Sequence, residues 1–125
     1  MVNRYAQAYR RVYFESAAPT RILDETYARL LRDCEDAGRC IKAGDIEGKA
    51  FAINHAIDLV CALLAALDRE TAPELATNLV RLYDFVRSRL LDASIRLDPA
   101  PLAEASQIVT TLRDAFAKAA EAISR

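Results

Sequence analysis

Apolar positions recur along this chain in steps of three and four. From residue 46 the row is Ile46, Ala50, Ile53, Ile57, Val60, Leu64 and Leu67. Leu75, Leu79, Leu82, Val86, Leu90 and Ala93 form a second row; Leu102, Ala105, Val109, Leu112, Phe116, Ala119 and Ile123 form a third. A looser row runs through Ile22, Tyr27, Leu30, Cys34, Ala37 and Ile41. That spacing places each row on one face of an α-helix and matches the seam of near-parallel helix packing.

The breakers fall between the rows. Pro19, the pair Gly44 and Gly48, Pro73, and the pair Pro99 and Pro101 divide the chain into four stretches of about 25 residues. Asp45 is placed to cap a helix starting at Ile46, with Gly48 weakening its first turn. Thr71-Ala72-Pro73-Glu74 reads as a capping box, and Asp98-Pro99 as an acidic cap followed by proline. The expected helices cover about 19–43, 46–70, 72–96 and 99–124. Each full stretch is about 37 Å long at about 1.5 Å per residue. Short connections force antiparallel neighbours. The expected fold is all-α: an antiparallel up-down four-helix bundle, preceded by a short N-terminal helical segment over 1–15. The whole of 1–125 forms one domain.

Three rows are wider than one seam. Leu59, Leu63 and Ala66 flank the row that begins at Ile46, Tyr83 and Leu91 flank the row that begins at Leu75, and Ile108 and Ala115 flank the row that begins at Leu102. The surplus is either a fully occupied core or a groove for another helix. In front, Tyr5, Tyr9 and Tyr13 stand at i, i+4 and i+8. A helix there would carry a tyrosine stripe, and so short a helix must dock on the bundle or on a partner.

Composition agrees with helices: 24 alanines, three glycines, four prolines and no tryptophan. Lys plus Arg number 17 and Asp plus Glu 18, a net charge of −1. This balance lacks the electrostatic footprint of general nucleic-acid binding and of a polybasic membrane anchor. The longest apolar run, Leu59 to Leu67, is too short to cross a bilayer, and no secretory leader is evident at the N-terminus. Cys34, Cys40 and Cys61 do not form a disulfide framework and read as free thiols in a reducing compartment.

No catalytic constellation is visible. His55 is the single histidine, so neither a histidine-rich metal site nor a di-iron pair of Glu-x-x-His motifs is possible. Zinc-ligand spacing, a haem motif, a glycine-rich phosphate loop and a nucleophile elbow are absent. The expectation is a binding protein rather than an enzyme, with no cofactor and no metal. Glu35 and Asp36 read as solvated charges, and Asp24 and Glu25 suit a helix N-terminus.

Asn78-Leu79-Val80-Arg81-Leu82-Tyr83-Asp84-Phe85 resembles the N-L-x-x-L-Y-D-Y signature of the FliS family of flagellar export chaperones. Without a gap, Arg89-Leu90-Leu91-Asp92-Ala93-Ser94 is similar to the family's R-L-x-x-A-N, and Leu112-Arg113-Asp114-Ala115-Phe116 to its L-R-x-A-W. Val12 through Pro19, Tyr27, Ala56 to Val60, and Leu67-Asp68 fit further family positions. The likeness covers roughly residues 5 to 118. Departures include Asp24, Glu25 and Thr26 at apolar positions before the family tyrosine, His55 for Lys, Ala72-Pro73 for Gly-Gly, and Phe116 for Trp.

The resemblance implies a cytoplasmic chaperone that binds the disordered C-terminal segment of flagellin. It would prevent premature polymerisation and deliver the subunit to the flagellar type III export apparatus. Flagellar export components are further implied partners. On the matched positions, Val12, Ile22, Leu23 and Tyr27 form one expected contact region; Asn78, Leu79, Leu82 and Tyr83 form another. Ordinary core packing is the competing reading for each apolar residue. Tyr5, Tyr9 and Tyr13 are expected to cap the empty client groove. The rival function is a self-associating helical adaptor, or a divergent paralogue with a different client. A monomer and a homodimer both stay open.

Overall fold

In a computed structural model the described residues are Val12 and 19–124, with side chains described for Val12 and 21–121. The expected N-terminal stripe of Tyr5, Tyr9 and Tyr13 lies outside them. The described residues form four α-helices: α1 (Pro19–Ala43), α2 (Ile46–Ala65), α3 (Pro73–Arg96) and α4 (Ala100–Ser124). Each helix packs on its chain neighbours and α4 returns to α1, closing an antiparallel four-helix bundle.

The turns follow local chemistry. Gly44, at φ 73°, takes the left-handed conformation that ends α1. Asp45 then caps α2, its Oδ1 accepting the Gly48 N–H at 2.9 Å. Gly48 is required by close approach: a Cβ there would lie 2.7 Å from Cys40 Sγ and closer still to the capping carboxylate. At the end of α3, Leu97 adopts the left-handed conformation at φ 51°, and its N–H returns to the Ala93 carbonyl. Asp98 Oδ1 accepts the Ala100 N–H at 2.9 Å, so α4 starts at Ala100, one residue after Pro99.

Two sequence expectations need correction. The helix expected over 46–70 stops at Ala65. Beyond it Asp68 folds the chain back, Oδ1 accepting the N–H groups of Glu70 and Thr71 at 3.0 and 3.2 Å. The same carboxylate takes the Thr71 hydroxyl, so the expected capping box does not form. The N-cap of α3 is Ala72, without a side-chain hydrogen bond, and Pro73 opens the helix where its missing N–H costs nothing.

The core holds Leu23, Tyr27, Leu30, Cys34 and Ala37 of α1 with Ala52, Ile53, Ala56, Val60 and Leu63 of α2. Ala76, Leu79, Tyr83, Val86, Leu90 and Ala93 of α3 meet Leu102, Ala105, Val109, Leu112 and Phe116 of α4. Val12 is fully buried against this core. Its carbonyl accepts the Asp68 N–H at 2.9 Å, which ties Val12 to the α2–α3 turn.

Candidate interaction surface

The sequence-selected residues divide sharply by position. Val12, Leu23, Tyr27, Leu79 and Tyr83 are buried. Tyr27 and Tyr83 meet across the bundle diagonal, hydroxyl to hydroxyl at 2.5 Å, and the Tyr27 ring leans on Phe116 at 6.0 Å between centroids. Leu82 is half-buried against the core. Ile22, at 62% exposure, and Asn78 are exposed. In this closed bundle, five of the eight expected contact residues therefore pack inward. The α1 region is represented at the surface by Ile22 and the α3 region by Asn78 and the edge of Leu82.

The exposed apolar surface lies elsewhere, mostly on α2 and α3. Helix α2 has only three charged side chains in 20 residues, Glu47, Lys49 and Asp58. One face fills the core, and the half-buried Ile57, Leu59 and Leu64 pack beside it. Its remaining sides present Ile46, Phe51 (77% exposed), Cys61, Ala62, Ala65 and Ala66 to solvent. Glu47, Asn54 and Asp58 are exposed on the same outward side, so the open face of α2 is mixed, with apolar side chains set between polar ones. By length and composition alone, α2 would be apolar enough to cross a bilayer, a property the single run Leu59–Leu67 does not reveal.

Helix α3 adds Leu91, Ile95 (78% exposed) and Phe85, and Leu97 follows its last turn, half-exposed. The Lys49 ammonium donates to the Ser94 carbonyl at 3.3 Å and to its hydroxyl at 3.1 Å, fixing the start of α2 against the end of α3. Ile46 and Ala50 therefore lie at the same end of the bundle as Leu91 and Ile95. Ile57 and Leu64 of α2 and Val80 of α3 are half-buried against the core. The only sequence signal for this surface was the apolar breadth of α2. Phe51 and Ile95 fall outside the periodic rows, and no motif marks them.

Polar groups fasten the other seams. Between α1 and α2, His55 Nδ1 lies 2.5 Å from the Asp33 carboxylate, itself buried. Between α1 and α4, Arg113 clasps Asp24 through Nε at 2.8 Å and a second nitrogen at 3.1 Å. This hydrogen bonding holds the Asp24 carboxyl below its ordinary range. Asp24, a departure expected beside the partner surface, is thus an interhelical tie; Glu25 pairs with Arg21 one turn back. Burial pushes the Cys34 thiol up to about 11, partly offset by a hydrogen bond with Ser106. Among the described residues, no group of three His, Cys, Asp or Glu side chains converges as a metal site would require.

A family model described as "Flagellar protein FliS" matches residues 1–123, nearly the whole chain. The chain belongs to the FliS family. Curated FliS relatives agree. The flagellar secretion chaperone FliS of Salmonella typhimurium strain LT2 is 29% identical over 116 residues, covering 92% of this chain and 86% of the relative. That of Bacillus subtilis strain 168 is 30% identical over 112 residues, covering 90% and 83%. The flagellar secretion chaperone FliSB of Pseudomonas aeruginosa strain PAO1 is 28% identical over 115 residues, covering 92% and 91%. These FliS relatives are named as chaperones of flagellar secretion, not as enzymes.

Proposed function

We propose that this chain is a cytoplasmic export chaperone that binds the C-terminal segment of flagellin, keeps it from polymerising and hands it to the flagellar export apparatus. Family membership supports the flagellar setting. The observation that carries the binding reading is the set of large apolar side chains left exposed on α2 and α3, among them Ile46, Leu91 and Ile95. An amphipathic client segment laid along the α2/α3 seam would cover Ile46, Leu91 and Ile95 while hiding its own apolar face. No catalytic step is involved, and release would follow from hand-over at the export machinery.

Ordering a disordered client costs on the order of 1–2 kcal/mol per residue, so the contact has to be long and mostly apolar. The Tyr5, Tyr9 and Tyr13 segment enters this proposal as a cap over the empty surface. Support comes from Val12, which is buried in the core and tied to the α2–α3 turn at Asp68. Displacing the cap would withdraw Val12 from the core and open Leu23 and Leu79 to the client, giving the motif residues a second role.

Calorimetry against the C-terminal segment of the same organism's flagellin tests the proposal. It predicts saturable 1:1 binding with a large negative heat-capacity change. Absence of binding, with the protein fully helical, would refute it. Deleting residues 1–14 should tighten the complex; unchanged or weaker binding would remove the cap.

A further inference from the structure

The edge of the bundle opposite the α2/α3 seam has a different character. There α1 meets α4. Near its Asp24 end the seam is closed by the bidentate Arg113 pair. At the other end it opens into a groove of about 400 Å³ lined by Cys34, Gly38, Pro99, Leu102, Ala103 and Ser106. The groove is shallow-walled because Gly38 has no side chain and Ala103 has little. A Cβ on Gly38 would already touch Leu102 Cδ1 at 3.8 Å. Cys34 and Leu102 lie nearly sealed beneath the groove, the thiol kept neutral by burial, and Gly38, Pro99, Ala103 and Ser106 form the accessible floor.

Charge is arranged along one rim. Glu35, Arg39 and Lys42 follow one another on the outer edge of α1 and all line the opening. Arg39 is engaged by Asp36 on its own helix. Lys42, exposed in the last turn, makes no ion pair among the described residues. The rim thus runs from one carboxylate to two cations, and the cation without a counter-ion sits at the end nearest the α1–α2 turn. A guest would be complementary if it filled the apolar floor with one bulky side chain and set a carboxylate against Lys42 and Arg39.

We propose that the α1/α4 groove is a docking site for a second polypeptide, distinct from the client: an amphipathic helix presenting a bulky apolar side chain flanked by acidic residues. Because α1/α4 lies across the bundle from α2/α3, a client on α2 leaves this groove open. The loaded chaperone can therefore be recognised while the client stays in place. The proposal stands on the groove alone and does not depend on what covers α2.

The test titrates the full-length, 15N-labelled chain with two amidated helical peptides. They share a central leucine and differ only in carrying glutamate or lysine beside it. The glutamate peptide should shift the amides of Gly38, Lys42, Ala103 and Ser106, and the lysine peptide should bind more weakly. Lys42→Glu should weaken the glutamate peptide roughly 2- to 5-fold, the scale of one exposed charge pair. Ala103→Arg, on an exposed position that leaves the fold intact, should abolish the shifts. The same shifts should persist with the flagellin segment bound. Equal binding of the two peptides, shifts confined to α2 and α3, no shifts at all, or binding insensitive to Ala103→Arg would each overturn the proposal. A chain that binds the glutamate peptide but no flagellin would leave this groove standing and remove the client reading instead.

Discussion

The hydroxyl of Tyr27 lies 2.5 Å from that of Tyr83, on diagonally opposed helices in the fully buried centre of the bundle. Two residues that the family likeness marks as contact positions are thereby each other's partners. The pair joins α1 to α3, which do not otherwise face each other, and fixes the rotation of both helices about their axes. Buried hydroxyls cost little only when they are hydrogen-bonded.

Removing one hydroxyl should therefore be felt. Tyr27→Phe and Tyr83→Phe should each lower stability by about 1 kcal/mol, measured by urea denaturation. The double variant should lose less than the sum of the two. Additive losses would show that the hydroxyls do not act as a pair.

The Asp24–Arg113 tie gives a pH dependence with a definite sign. Its hydrogen bonds lower the folded pKa of Asp24 below the ordinary 3.8. Its contribution to stability is therefore complete above that ordinary value and is lost as the pH falls through the lower, folded one. Both side chains are more than one-third exposed, so solvent screening limits the pair to about 0.5 kcal/mol. Asp24→Asn should be less stable than the parent at pH 7, and the gap should close in acid unfolding toward pH 2. A gap that widens in acid would contradict this assignment.

Thiol reactivity should separate two cysteines that the sequence alone could not rank. Cys61 is exposed on α2, whereas Cys34 is buried with its pKa at about 11. At pH 8 only about one Cys34 in a thousand would be thiolate, and the packed side chains around it also block the reagent. Iodoacetamide labelling read by mass spectrometry should modify Cys61 within minutes and Cys34 only after denaturation. Rapid labelling of Cys34 in the native chain would mean that the α1/α4 seam opens.

The bundle was legible because its determinants are local. Period-3/4 rows such as Val86, Leu90 and Ala93 repeat along each helix, and Asp45 and Asp98 announce their caps. The end of α2 was not legible, because Ala65 and Leu67 continue the apolar pattern while a turn built on Asp68 breaks the helix. The binding surface was half legible. The width of the α2 stripe betrayed surplus apolar area, but the motif residues Tyr27, Leu79 and Tyr83 combine a family signature with complete burial. A motif records what the family keeps, and a core pair is kept as firmly as a contact. Phe51 and Ile95 lie off every periodic row, so only the packed structure distinguishes them as exposed.

The central claim is that apolar surface outside the closed core binds the flagellin segment, and the paired variant Leu91→Asp/Ile95→Asp tests it most directly. Leu91 is 45% and Ile95 78% exposed, so helical circular dichroism should stay at the parent level. By contrast Leu79→Ala, in the core, should cost about 3 kcal/mol of stability. Calorimetry of the paired variant against the flagellin C-terminal segment should give a Kd at least about tenfold weaker, the equivalent of about 1.4 kcal/mol. An unchanged Kd with the helical signal intact would contradict the account.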